Sequence, residues 1–410
     1  MKSSHNPPWL FAFLSMPAGI SGWCVSALVI PYLLRKHGVA VNHIAESAAI
    51  ANIPNFCFLL WSPILDLGWQ RRTWLLLGSA LTALFGAVAI TSIHASFTWL
   101  TVAWAVSNAA STLPSSAAGA VMAGLPAQLR GRAAGWYQMG NLAVGSLAGG
   151  ACIWLADRVP VTVLALIAGV LMFLPALAAF VIHETPLPHA AGVALFRALA
   201  RDLWDLIWAR RTAVCMMFLV SPVGAGALGN LISSVGPDYH ASSGEVAFVS
   251  GLGGSLLLGI GALAGGFICD RIHRMTAYAL FGLVAAIFAS WLALAHATPF
   301  TFGAGYSGYA FSTGLAYTAY SALVLDALGH GRRAAASGYS LLGSLGNLPV
   351  VYMTWLDGVG YKHAGARGLM GVDALGNGLV GLLLLLVARY CARKWRSVPR
   401  EDTVVAEVPA

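Results

Sequence analysis

The sequence predicts an all-α membrane protein, with twelve transmembrane helices in two pseudo-symmetric six-helix bundles. Three observations predict it. Hydrophobic residues make up 58% of the 410-residue chain and charged residues only 9%, against about 25% charged in a soluble domain. The apolar residues, roughly 238 of the 410, fall into twelve long runs, each near the ~20 residues that a membrane helix requires. The first six runs and the last six share landmarks at a near-constant offset. A soluble fold could not cover its surface with so few charges, and a disordered chain would be far less apolar. The runs are continuous, without the ten-residue alternation of a membrane barrel.

The first span covers 9–34. Only Lys2 precedes it as a basic residue and no small-residue cleavage site follows, so it reads as an uncleaved helix. Spans two to six cover 44–65, 73–93, 97–123, 133–156 and 160–183. A connection from 184 to 211 opens with Glu184-Thr185-Pro186-Leu187-Pro188 and then turns helical. Leu195, Phe196, Leu199, Leu203, Leu206 and Ile207 recur there at three- and four-residue steps, with Arg197, Arg201, Asp202 and Asp205 on other faces. That is the pattern of an amphipathic helix at a membrane surface, with a solvated linker as the alternative. Spans seven to twelve cover 212–236, 244–268, 275–295, 299–325, 335–356 and 369–389. The predicted units are thus a bundle at 1–183, a linker at 184–211, a bundle at 212–390 and a basic, then acidic, tail at 391–410.

With the amino terminus inside, 18 of the 23 Lys and Arg residues fall on the inner side and five on the outer. The positive-inside rule therefore puts both termini in the cytoplasm. The net charge of +8 belongs to this topology, and no nucleic-acid partner is expected. Cys24, Cys57, Cys152, Cys215, Cys269 and Cys391 show no CxxC or Cys/His ligand spacing. They read as small apolar helix residues, so neither a disulfide nor a metal site is predicted, and no cofactor.

The duplication is read from landmarks. Pro17 matches Pro222, Asp66 matches Asp270, and Gly135-Trp136 matches Gly338-Tyr339, at offsets of 203 to 205. Basic pairs, Arg130/Arg132 and Arg332/Arg333, precede the last two glycines. A parallel duplication of six-helix halves is the architecture of transporters that rock around a site near mid-membrane.

The stretch Gly266-Phe267-Ile268-Cys269-Asp270-Arg271-Ile272-His273-Arg274 resembles the signature loop of the major facilitator superfamily, G-x-x-x-D-R-x-G-R, with His273 in place of the second glycine. The first-half counterpart, Trp61-Ser62-Pro63-Ile64-Leu65-Asp66-Leu67-Gly68-Trp69-Gln70-Arg71-Arg72, carries proline for glycine and its basic pair one position late. That form, followed by Trp74, resembles the branch of the muropeptide permease AmpG and the acetyl-CoA transporters, near which lie siderophore importers. The resemblance implies alternating access, with spans one, four, seven and ten bordering the central path.

A carboxylate at a helix start favours the local dipole, and a neighbouring arginine makes a strong but breakable pair. Asp66 with Arg71 and Arg72, and Asp270 with Arg271, Arg274 and Asp326, are therefore expected to gate the cytoplasmic side. Proton coupling calls for an ionisable group inside the membrane. Asp373, one turn into span twelve, and Glu46, at the start of span two, are the candidates; His94, His240, His296 and His363 fall in outer loops.

For the substrate, Trp23 in span one, Trp104 and Asn108 in span four and Asn230 in span seven offer stacking and hydrogen-bonding surfaces. Span ten adds Tyr306, Tyr309, Thr313, Tyr317 and Tyr320, which share one helix face at steps of three and four. Such a face either walls a cavity or packs as a seam between helices. No Lys or Arg lies deep within a span, which argues against a polyphosphate substrate such as acetyl-CoA. No P-loop occurs. The expected protein is a monomeric, proton-coupled importer in the bacterial inner membrane. It would carry a small or medium organic solute of muropeptide or siderophore type among membrane lipids, without catalytic residues. A membrane-embedded enzyme and a transporter-like sensor without flux are the alternatives.

Overall fold

Within lipid a backbone amide finds no partner except in its own helix, and the apolar runs fold accordingly. A computed structural model describes residues 6–39, 41–66, 69–94, 96–184, 193–329 and 334–396. Span one is Leu10–Leu34, three Arg71–Thr91, five Ala127–Ala156, six Val161–Val181, eight Gly244–Cys269 and nine Arg274–Leu294. Span four is Phe97–Ala123, started by the Ser96 hydroxyl, and span ten is Pro299–Leu328, started by that of Thr298. Span two is the helix Val41–Cys57, extended by tighter turns through Asp66. The linker helix is Val193–Trp208.

Span seven is broken into Arg210–Leu219 and Leu228–Val235. Between them Gly224 and Gly226 take φ values of 68° and 67°, a left-handed backbone that favours glycine. In the first half the landmark partner of Pro222, Pro17, sits inside a helix that continues unbroken. Spans eleven and twelve lie within Ala335–Arg396 and part at Ala364–Gly365, where the backbone leaves the helical region. Span eleven therefore runs about two turns beyond the apolar run at 335–356, and Asp357 falls inside it.

Among the described residues, seven helices are long and apolar enough to cross a membrane by length and composition, one of them the joined pair of spans eleven and twelve. The other four spans, two, four, seven and ten, are interrupted or more polar. Leu166, Phe180, Leu379, Leu383 and Leu386 are well exposed on the bundle surface, which in a membrane is a lipid-facing belt.

The buried core shows how the halves meet. At the end carrying most of the arginines, one cluster joins Phe11, Leu75, Ala117 and Tyr137 of the first half to Phe218, Tyr278, Leu315 and Tyr339 of the second. At the far end the cores are separate. One is built only from the first half, around Ile20, Cys24, Trp104 and Met172; the other only from the second, around Leu228, Tyr239, Phe302 and Tyr306. The halves also touch closely where spans five and eight cross: a Cβ on Gly266 would lie 2.8 Å from the Gly131 carbonyl oxygen and 3.2 Å from the Gly135 Cα. Only glycine permits that approach.

Candidate functional site

Two sites emerge, one at the basic end between the halves and one within the second half.

At the basic end each half's loop acid caps a helix of the other half. Asp66, at the end of span two, accepts from the N–H groups of Ala336 (3.2 Å) and Ser337 (3.0 Å) and from the Ser337 hydroxyl (2.7 Å). These residues open span eleven, whose first N–H groups have no helical partner. The Arg71 guanidinium donates to the same carboxylate at 2.9 Å. Asp270, after span eight, accepts from the N–H groups of Gly131 (2.8 Å) and Arg132 (3.1 Å) near the start of span five, and from Arg132 Nε at 2.8 Å. Its ion-pair partner thus comes from across the interface, where the sequence had suggested Arg271 and Arg274 of its own loop. Arg271 is exposed in the turn, and Arg274 instead pairs with Asp326 and donates to the Ala127 carbonyl. Arg72 keeps its guanidinium over the Phe180 ring, 5.9 Å from the centroid.

Three residues outside the predicted set complete this end. Arg130, 3% exposed, donates to the carbonyls of Ala123, Leu125, Leu325 and Gly329, holding the carboxyl ends of spans four and ten together. Glu184 accepts from the N–H groups of Arg71 (3.0 Å) and Arg72, capping span three. Asp202 of the linker helix accepts from the N–H of Ala334 at 3.0 Å. Deeper in, Ser116 meets Ser340 and Gln138 donates to Ser321, both at 2.7 Å between halves. A hydrogen bond to a charged group contributes about 1.5–3 kcal/mol net, so the set must part together or not at all.

In the first half, Trp104 Nε1 donates to the Ser26 hydroxyl at 2.8 Å, and that hydroxyl donates to Asn108 Oδ1 at 2.9 Å. Asn108 Nδ2 reaches the Ala51 carbonyl at 2.8 Å. Trp104 and Asn108 are 0% and 1% exposed, so in this state they tie spans one, two and four together and border no open space. Trp23 is 37% exposed, its Cβ beside Gly145 of span five. Glu46 has its backbone in span two, and its side chain lies outside the described residues.

In the second half the break in span seven organises the site. Its carbonyls are met by tyrosines: Val220 by Tyr352 (2.7 Å), Val223 by Tyr278 (2.5 Å) and Ala225 by Tyr317 (3.2 Å). Beside it lies a small cavity of about 20 Å³ lined by Gly224, Ala225, Tyr278, Tyr317, Tyr320 and Asn347, with Gly346, Pro349 and Val350. The tyrosine face of span ten divides here. Tyr317 and Tyr320 wall the cavity, while Tyr306 and Tyr309 stack in the core at 6.4 Å between ring centroids. Thr313 bonds the Tyr309 carbonyl and packs under Gly226. Asn230 is exposed and reaches Thr354 of span eleven at 3.0 Å.

Asp373 of span twelve is fully buried. It accepts from the Tyr309 hydroxyl and from Asn377 Nδ2, both at 3.1 Å. A second acid, Asp357, is equally buried, and neither of its oxygens has a hydrogen-bond partner. The run of apolar residues stops at Asp357, so reading spans as gaps between charges left it out; the apolar sequence resuming after it was the available signal. At the far end, Lys36 meets Asp157 at 2.6 Å, which with the Tyr32 hydroxyl holds the Asp157 carboxyl below the usual carboxylate range.

The Major Facilitator Superfamily model matches residues 11–351. The fold is shared with the human organic anion transporter MFSD10, at 18% identity and a TM-score of 0.71 over 93% of this chain and 100% of that one. It is shared with the E. coli fucose:proton symporter FucP, at 16% identity and 0.70 over 93% and 97%. A bacterial homologue of the iron transporter ferroportin in an outward-facing state aligns at 15% identity and 0.63 over 93% and 98%. No curated protein matches the sequence. The family match over most of the chain and the paired six-helix halves agree: the chain belongs to the major facilitator superfamily of membrane transporters.

Proposed function

We propose that this protein is a proton-coupled importer in the bacterial inner membrane, with both termini cytoplasmic, working as a monomer by alternating access. The observation that carries the reading is the asymmetry of the core, one shared cluster at the basic end and two separate clusters at the far end. In this reading the structure is outward-facing, and the cross-capping acids Asp66 and Asp270, with Arg71, Arg132, Arg274 and Asp326, hold the cytoplasmic gate closed. The solute enters beside the break of span seven. Tyrosine rings and the Asn347 amide there favour a neutral or weakly charged organic molecule that stacks and hydrogen-bonds. That chemistry suits the muropeptide and siderophore solutes of the branch that the span-two loop resembles, and lacks the basic residues a polyphosphate requires. The likeness to a fucose:proton symporter and the buried Asp373 beside Tyr309 support coupling to protons.

Purified protein in proteoliposomes tests this. A labelled anhydro-muropeptide, a ferric siderophore and a neutral sugar are offered with and without an inward proton gradient. Accumulation of one of them that collapses with a protonophore is expected. Uptake indifferent to the gradient would remove proton coupling, and uptake of none would remove the solute class.

A further inference from the structure

Two acids are buried within the second half, on spans eleven and twelve, and only one is satisfied. Asp373 has Tyr309 and Asn377 as donors. Asp357 has none, although it is 0% exposed. The two lie on adjacent spans, eleven and twelve, which pack against each other where Gly360 faces Gly368 and Val372. Span ten presents Tyr309 to Asp373, span eleven carries Asp357, and span twelve carries Asp373 and Asn377. Span nine faces Asn377 with Gly282, and span seven with the backbone of Gly224. Among the described residues no Lys, Arg or His forms an ion pair with either acid. Two uncompensated carboxylates in such a place are opposed by desolvation and by mutual repulsion, so a positive ligand must be present whenever the pocket is closed.

The fold does not require these acids. At an offset of 204 the first half carries Ile153, Gly169 and Phe173 where the second has Asp357, Asp373 and Asn377, and it builds the same six-helix bundle. Asn377 has both ends of its amide engaged. Nδ2 donates to Asp373, and Oδ1 accepts the Gly224 N–H at 2.8 Å. Gly224 and the next residue, Ala225, line the cavity.

We propose that Asp357 and Asp373 hold one proton between them, and that Asn377 conveys occupancy of this site to the solute cavity through Gly224. An ionised carboxylate holds the Asn377 amide more strongly than a protonated one. Gain of the proton therefore loosens Asn377 and the loop at Gly224, and loss of the proton tightens both. No bond other than O–H is made or broken, and the proton passes from one aqueous phase to the other. The inference rests on the proton-coupled reading above and supplies its site.

Infrared difference spectra of the purified protein between acid and neutral buffer test the site without a solute. A protonated-carboxyl band is expected that is absent from both Asp357→Asn and Asp373→Asn. A band unchanged in either variant, or one abolished by sodium chloride together with a rise in thermal stability, would overturn the proposal, the latter in favour of a metal cation. For the link, Asn377→Ala should keep the band and solute exchange at equilibrium. Its gradient-driven accumulation should fall about tenfold, the scale of one buried hydrogen bond. Normal accumulation, or loss of exchange in a folded variant, would overturn the link. Failure of proton coupling in the parent protein is visible separately, since the band does not depend on uptake.

Discussion

Asp270 shows how much rests on single side chains. Its carboxylate replaces helix-start partners that span five lacks and pairs with Arg132 across the interface. Asp270→Asn keeps the shape and removes the charge. It should weaken closure at the basic end by about 1.5–3 kcal/mol, the worth of one charge-assisted hydrogen bond. The transport rate should fall by about tenfold or more with expression and folding intact, and an unchanged rate would dismiss the gating role. Arg130 is the other decisive residue, since its fork reaches four carbonyls. Arg130→Lys keeps the charge but cannot span them, so a lower melting temperature is expected, read by heating the purified protein. Arg130 stands out in the sequence beside Gly131, and Asp270 in the loop that begins at Gly266; which residues would meet across the halves does not.

At the scale of elements, the crossing of spans five and eight and the break in span seven carry the design. Gly266→Val would drive side-chain atoms into the backbone at Gly131 and Arg132, which has no flexible end to yield. The basic end should then stay parted. Cys269, 2% exposed beside the crossing, becomes the reporter: as the sole remaining cysteine it should react with a polar thiol reagent faster in the Gly266→Val protein. Equal rates would mean that the crossing does not limit closure. Gly224→Ala tests the break. A Cβ there would lie 2.7 Å from that of Ala316 and sits on a left-handed backbone, at a cost of about 1–2 kcal/mol. Solute binding measured by thermal shift should weaken while the outer bundle keeps its fold. The break has a sequence trace, Ser221-Pro222-Val223-Gly224-Ala225-Gly226. Pro17 and Gly19 leave a similar trace in span one without a break, because Gly19 is used there for close packing against Asn141.

For the whole molecule, alternating access requires the shared core at the basic end to open. Ser116 and Ser340 oppose each other across the halves at 2.7 Å between hydroxyls. Cysteines at both positions lie within reach of a disulfide. Oxidation should stop transport completely and reduction restore it, whereas continued flux in the oxidised protein would exclude opening along this seam.

The sequence by itself determined the membrane class, the twelve spans, the duplication and the polar face of span ten. These depend on composition and on periodicity along one helix, which lipid enforces locally. It also singled out Asp66 and Asp270 as gating candidates and Asp373 as a candidate for proton coupling. Apart from the Asp66–Arg71 pair, only the tertiary structure decided their partners. Asp270 meets Arg132 rather than its own loop, Asp373 meets Tyr309 and Asn377, and Trp104 and Asn108 close on Ser26 and Ala51 rather than on open space. The reason is physical: helix periodicity says which residues share a face, but which faces meet depends on how twelve helices pack, and that is set by close approaches such as Gly131 and Gly135 against Gly266.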